Sequence, residues 1–290
     1  MYYIKLTGSV KRDKINLILF GEKESDFMDK NSSVRLVASD IDGTLLRGES
    51  KTISDQLFEQ VYRLKEQGIR FCAASGRQHK SLRGLFEPVE KDILFLCENG
   101  AICFDEKGNV LSKTPVDRET ALGIAHEILE VPQFEVLISG AETSYLIPKS
   151  HDFIDHIRYF VGNHVTLIDR PEDIREDILK VSAYCPDGAL QYQQPWREKW
   201  GKKVQIALGG SLWLDCGVAS KREGINGICA ALGISPKEVM AFGDNYNDLP
   251  MLETIGHPYL MESASDELKG RGFPLAPSPE AVIEKLLSER

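Results

Sequence analysis

The sequence predicts an α/β fold: a parallel sheet with a second, smaller α+β unit inserted into it. Three observations carry this. Apolar runs at 36–39 and 69–74 flank a stretch with helical spacing, the arrangement of a right-handed parallel crossover. Several apolar runs end in polar or glycine-containing segments (40–44, 75–77, 98–101 and 243–248), as strand ends facing a ligand crevice do. The pattern also changes near Thr114 and resumes at Gly217, which marks an insertion.

The chain-order reading follows from local chemistry. Ile15 to Phe20 is read as a strand, with a polar loop over 21–33, and Met28 stands as an alternative start. Ser54 can cap a helix near 54–67 whose stripe is Leu57, Val61 and Leu64, with Gly68 ending it. A helix near 79–86, a strand at 93–97 and a hairpin over 102–111 turning near Gly108 and Asn109 follow.

Over 115–216 the spacing predicts a helix near 118–131, strands at 134–139 and 145–148, and a helix carrying Phe153, Ile157 and Phe160. Further strands are expected at 164–169, 178–185, 204–209 and 212–215. Trp196, Arg197 and Trp200 are read either as substrate contacts or, preferably, as packing on this unit's sheet. The last block places Lys221, Ile225, Ile228 and Leu232 on one helix. A strand at 239–242 precedes a helix carrying Leu249, Leu252 and Ile255. A strand at 259–261 and a short helix around 263–269 come next, and Ser278 and Pro279 open a final helix. The expected divisions are a 1–33 extension, a core in two parts (34–114 and 217–290) and an inserted domain at 115–216.

The 290 residues are 42% apolar and 27% charged with net charge −9, ordinary for a globular protein and poorly suited to nucleic acid or an anionic membrane surface. No apolar stretch is long enough to span a bilayer, and the first residues lack signal-peptide features. The six scattered cysteines read as buried thiols of a reducing cytoplasm.

The sharpest local signal is Asp40-Ile41-Asp42-Gly43-Thr44 after the first buried run. Two carboxylates so close at a strand end are costly unless a cation, proton or polar partner offsets them, and Mg²⁺ suits hard oxygen ligands. Strand geometry would point Asp40 and Asp42 to one side if the strand ran through them. Taken alone, the stretch also suits a solvated Asp-rich turn.

Together with Ser75-Gly76-Arg77, the helix bearing Lys221, and Gly243-Asp244-Asn245-Tyr246-Asn247-Asp248, this stretch resembles the four motifs of the haloacid dehalogenase superfamily. The insertion resembles that of its Cof-type phosphatases. The resemblance covers about residues 34–290. It implies a Rossmann-like core with a parallel sheet and an inserted α+β cap of type C2. The chain departs from it with Arg222-Glu223-Gly224 where glycine usually follows the lysine directly, and with Glu262-Ser263-Ala264 in place of Gly-Asn-Ala.

The resemblance implies a role for each matching residue. Asp40 would be the nucleophile, and Asp42 would protonate the leaving group and then help deprotonate water. Ser75 and Lys221 would stabilise charge on the transferring phosphoryl group. Mg²⁺ would be held by Asp40, the Asp42 main-chain carbonyl and Asp244, with Asp248 supporting it directly or through water. Thr44, Gly76, Arg77, Asn99 and Asn247 would line the substrate cleft.

The implied protein is a cytoplasmic, Mg²⁺-dependent phosphomonoesterase acting on a small phosphorylated metabolite, phosphosugars first, as a monomer or weak homo-oligomer. The alternatives are a phosphomutase and a non-enzymatic phosphometabolite sensor. A dehalogenase fits less well, since halide needs no proton from Asp42.

Overall fold

The computed structural model describes residues 34–289; the strand, loop and start expected within 1–33 lie outside them. Two sheets organise the chain. The first is built from β1 (Leu36–Ser39), β2 (Arg70–Ala74), β3 (Leu94–Cys97), β4 (Ile102–Phe104) and β5 (Val110–Lys113). The second takes β6 (Glu135–Ser139), β7 (Ser144–Leu146), β8 (Val165–Leu167), β9 (Lys180–Tyr184), β10 (Gln205–Leu208) and β11 (Trp213–Gly217). The chain then returns to the first sheet with β12 (Val239–Gly243), β13 (His257–Met261) and β14 (Leu275–Ala276).

The eight-stranded order is β14-β13-β12-β1-β2-β3-β4-β5, and the six-stranded order is β10-β11-β9-β6-β7-β8. In the larger sheet β14 through β3 run parallel, and β4 and β5 return antiparallel. Buried on both faces, β1 and β3 are apolar almost throughout, as strands of a covered parallel sheet must be. The α/β class and the inserted α+β unit are those expected from the sequence.

Helices α1 (Asp55–Glu66) and α2 (His79–Leu85) sit in the core half, with Ser54 capping α1 through the Leu57 amide at 3.3 Å. The inserted part carries α3 (Arg118–Glu130), α4 (His151–Asp155) and α5 (Leu190–Trp200); α6 (Lys221–Leu232), α7 (Leu249–Leu252), α8 (Asp266–Lys269) and α9 (Pro279–Ser288) follow. Val37, Phe71, Phe95 and Phe242 fill one face of the larger sheet against α1 and α9, while Ile225 and Ile228 of α6 join the core on the other. Val136, Ile138, Val181 and Leu214 form the core of the inserted sheet.

One local expectation is corrected and two open points are decided. The helix expected to use Phe153, Ile157 and Phe160 is α4 followed by a π-helical turn, His156–Val161. The wider turn rotates Phe160 off the buried stripe and leaves it 83% exposed, while Phe153 and Ile157 stay buried. Residues 190–200 form a helix despite Pro195, with Trp196 buried among inserted-sheet residues and Trp200 Nε1 donating to Glu127 at 2.9 Å. These tryptophans therefore pack within the inserted unit, the preferred of the two readings. Finally, β1 stops at Ser39, so the strand does not continue through both aspartates. All six cysteines are free and buried. No helix of the described residues is long and apolar enough to cross a membrane.

Candidate active site

Strand order decides what meets. β1 lies between β12 and β2, so the segments after these three strands share one edge of the sheet. Asp40 follows β1, and its amide donates to Phe242 O of β12 at 3.0 Å. Asp244 follows β12, and Ser75 follows β2, its amide donating to Leu96 O of β3 at 2.9 Å. The Ser220 cap starts α6 with Lys221 in its first turn, aimed inward.

Lys221 is completely buried and its Nζ donates to Asp40 Oδ1 and Asp248 Oδ1, each at 2.5 Å. The other Asp248 oxygen accepts the Asp244 and Asn245 amides at 3.0 Å each. Asp248 thus has both oxygens committed to protein donors and shapes the turn that presents Asp244. Asp40 differs: its Oδ2 is buried and has no hydrogen-bond partner. Such an orphaned carboxylate oxygen is expensive unless something else engages it.

Electrostatics underline the cost. Burial raises the Asp40 carboxyl, Asp248 raises it further, Lys221 opposes both, and it stands pushed up to about 8. Burial and Asp248 also raise Asp244. Burial disfavours the Lys221 ammonium, but Asp248 and Asp40 outweigh this and hold its proton above the usual lysine range.

Carboxylate oxygens of Asp40, Asp244 and Asp248 lie within 4.8 Å of one another. Three acids against one buried amine leave an excess of negative charge, and Asp40 keeps one buried oxygen without a partner. The donor set is all oxygen, as Mg²⁺ requires, so the residues fit the expected ion.

Backbone geometry makes room for the cluster. Gly43 has φ +99°, and a Cβ there would sit 2.2 Å from Asp244 Oδ2. The glycine therefore answers both a left-handed backbone and a close approach. Gly224 lies against Leu96 and Gly100, with Leu96 Cδ1 2.6 Å from where a Cβ would be. This explains the departure noted in the sequence: glycine is needed where α6 crosses β3, three residues after the lysine. Arg222 points outward, bonding Pro250 O and Thr254 Oγ1 at 3.1 and 3.0 Å.

The remaining candidates lie nearby with differing engagements. Asp42 is exposed, outside the carboxylate cluster, and Arg77 holds it through Nε and Nη2. Ser75 is buried, and its Oγ accepts the Arg77 amide at 3.2 Å. The cap position of α2 is Gln78, so Ser75 is not a helix cap. Thr44 is buried and donates to Asp244 Oδ1 at 3.2 Å. Asn247 Nδ2 donates to Asn99 Oδ1 at 3.3 Å, and the Asn99 side chain would lie 3.1 Å from a Cβ on Gly76. Thr44 and Arg77 thus engage aspartates here, where direct substrate contact was expected.

Sequence reasoning missed Gln78, whose amide donates to Ser144 of the inserted sheet at 2.9 Å, and Glu98, whose carboxylate meets Lys180 of that sheet. No local pattern marks either one, since their partners are distant in the chain.

The profile of the haloacid dehalogenase-like hydrolases matches residues 37–271. The chain belongs to this family. Among relatives of this haloacid dehalogenase-like chain is the Escherichia coli 5-amino-6-(5-phospho-D-ribitylamino)uracil phosphatase YbjI. It is 27% identical over 235 residues, covering 80% of this chain and 86% of the relative. The E. coli pyridoxal phosphate phosphatase YbhA is 26% identical over 254 residues, covering 82% and 92%. A solved structure from Eubacterium rectale superposes with a TM-score of 0.78 at 27% identity, covering 88% of this chain and 99% of that one. The relatives' names agree with the enzyme class implied by the sequence, a Cof-type phosphatase of the haloacid dehalogenase superfamily.

Proposed function

We propose that the chain is a Mg²⁺-dependent phosphomonoesterase for small phosphorylated metabolites, working through a phosphoryl group carried on Asp40. The observation that carries this is the Asp40 side chain: one oxygen fixed by Lys221, the other buried and unpartnered. A carboxylate so placed is oriented for attack and held back only by its surplus charge.

Asp40, Asp244 and the Asp42 main-chain carbonyl would hold the ion, with Asp248 acting from behind. When bound, Mg²⁺ supplies positive charge that offsets repulsion between the acids and a phosphate dianion. An Asp40 oxygen attacks phosphorus and the bond to the ester oxygen breaks. Asp42 gives its proton to that departing oxygen. Asp42, now ionised, takes a proton from water as the water oxygen attacks phosphorus, and the bond to Asp40 breaks. Lys221 and Ser75 stabilise the equatorial oxygens in both displacements, and Arg77 orients Asp42.

Residues 115–216 act in this reading as a cap joined to the core near 114 and 216, a two-hinged connection suited to closure over a small ligand. The net charge of −9 gives nucleic acid no general attraction. Phosphosugars, sugar-like ribityl phosphates and cofactor phosphates such as pyridoxal phosphate form the substrate class; the latter two are what the relatives' names specify.

The test is a Mg²⁺-supplemented phosphate-release screen. It covers sugar phosphates, a ribitylaminouracil phosphate, nucleotides, pyridoxal phosphate, flavin mononucleotide and a phosphopeptide. Turnover of one or more small esters is expected. Turnover of the phosphopeptide alone contradicts the size argument, and conversion of a phosphosugar to its isomer without free phosphate contradicts hydrolysis.

A further inference from the structure

The most heavily buried charge cluster away from the Asp40 group joins the two sheets. Lys180 of β9 places Nζ 2.9 Å from Glu98 Oε2 and 3.4 Å from Asp215 Oδ2 of β11. The side chains of Glu98, Lys180 and Asp215 are 4%, 13% and 16% exposed, so water screens none of them well. Ser182 Oγ donates to Asp215 Oδ1 at 2.6 Å, and Asp215 pairs with Ser182 in the β11–β9 register. Lys180 and Asp215 are thus fixed within the inserted sheet, while Glu98 belongs to the turn after β3.

That turn is unusual in its backbone. Glu98 and Asn99 are consecutive non-glycine residues with φ of 50° and 54°. Such conformations persist only where the surroundings impose them. Here the Glu98 amide donates to Arg77 O at 3.1 Å and the Asn99 amide to Ser75 O at 3.0 Å. Gly100 is pressed on Ser220, whose carbonyl oxygen would be 2.2 Å from an added Cβ. One turn therefore touches the Ser75–Arg77 loop, the start of the Lys221 helix and, through Glu98, the inserted sheet. Its middle residue, Asn99, presents its amide oxygen to Asn247.

A buried ion pair contributes little net stability, and its better-attested use is to specify one arrangement. Burial disfavours the Lys180 ammonium, but Asp215 and Glu98 outweigh it and keep it charged. Of the other polar side-chain links between the core and the inserted part, Gln78 to Ser144 is neutral and the Lys113–Asp177 ion pair is exposed to solvent.

We propose that Glu98, Lys180 and Asp215 form an ionic latch that holds the cap against the core, with Glu98 acting as a positioning residue for Asn99 at the substrate cleft. The latch deepens the phosphatase reading and, for its kinetic consequence, rests on it. With the latch broken, the turn carrying Asn99 loses its side-chain tie to the inserted sheet and the cap loses its buried charged anchor. Capture of a ligand that needs both suffers, while the Asp40–Lys221 chemistry does not.

The test compares full-length wild type with Glu98→Gln, Lys180→Met, Lys180→Arg and the Glu98→Gln/Lys180→Met double variant. Hydrogen exchange without ligand is the first readout. Glu98→Gln is expected to raise exchange at 178–184, across the boundary, and Lys180→Met to raise it at 96–101, each by about tenfold. Kinetics are the second readout, on the best ester of the screen and on p-nitrophenyl phosphate. KM for the former should rise about tenfold, kcat for the latter should stay within about twofold, and the double variant should be no worse than Lys180→Met alone. Lys180→Arg should retain wild-type behaviour in both. Exchange confined to the mutated side, losses that add independently, or failure of Lys180→Arg to preserve KM would each overturn the latch. Should Glu98→Gln not fold, Asp215→Asn replaces it, and exchange is then expected to rise about tenfold at 96–101, across the boundary from Asp215. If wild type hydrolyses no ester, the phosphatase reading fails, and the exchange comparison still decides the latch.

Discussion

Arg77 grips Asp42 at two points, Nε to Oδ2 at 2.9 Å and Nη2 to Oδ1 at 2.6 Å. The Asp42 side chain is 53% exposed, so the pair adds little to folding stability, on the order of 1 kcal/mol or less. Its geometry instead fixes the direction of a carboxyl group at the cleft.

Asp42→Asn is therefore expected to be leaving-group dependent. An aryl phosphate departs with little protonation, whereas a sugar alkoxide needs the proton. Turnover of the sugar ester should fall by about 10²–10⁴-fold and that of the aryl ester by much less. Equal fractional losses on the two would remove Asp42 as general acid. Arg77→Met should show the same pattern more weakly, with a melting temperature within a few degrees of wild type.

Stability and activity should separate at Asp40. Its carboxyl is buried, beside Asp248, and pushed up to about 8, so a neutral amide relieves repulsion, while Lys221 keeps Asp248 as partner. Asp40→Asn is expected to melt no lower than wild type while losing phosphate release. Calorimetry and a phosphate assay on one preparation check this; a marked drop in melting temperature would mean that Asp40 serves the fold.

Gly43→Ala probes the metal-side geometry without removing a ligand. A methyl group there would collide with Asp244 and strain a backbone at φ +99°. A displacement of about 1 Å at a reacting site costs on the order of 10²-fold. Activity should fall by that order and the Mg²⁺ concentration for half-maximal rate should rise, as in Asp244→Ala. Full activity after chelation of divalent ions would contradict the metal assignment altogether.

His79 offers a stability test away from the site. It stacks on Phe104 at 4.0 Å between ring centroids, and burial, helped by Arg83, lowers its pKa from 6.5 to about 4. The unfolded chain takes up this proton first as pH falls. The contribution of neutral His79 is thus complete above pH 6.5 and is lost progressively between 6.5 and 4. Urea titrations of wild type and His79→Phe should diverge across that window, wild type losing on the order of 1–2 kcal/mol more. Parallel curves would contradict the assignment.

How far the sequence is legible depends on how local each cause is. β1, β2 and β12 announce themselves as short apolar runs, and the residues following them are the acids and the serine that meet in space, because adjacent parallel strands share their ends. Ser54 and Ser278 cap helices where their side chains say they should. The π-helical turn at His156–Val161 was not legible, because its spacing differs from an α-helix by a fraction of a residue per turn. Helix Leu190–Trp200 was hidden by Pro195 and a polar face. The engagements of Thr44 and Arg77, and the Glu98–Lys180 pair, arise from tertiary neighbours that no local pattern encodes.

The most direct measurement of the central claim is acid-quench trapping during turnover of a small ester, followed by mass spectrometry of the peptide containing Asp40. With Mg²⁺ present, the account predicts a phosphoryl adduct on Asp40. It should form within one turnover, disappear after a chase with unlabelled ester, and be absent in Asp40→Asn. Steady phosphate release with no adduct on Asp40, or undiminished release by Asp40→Asn, would contradict it.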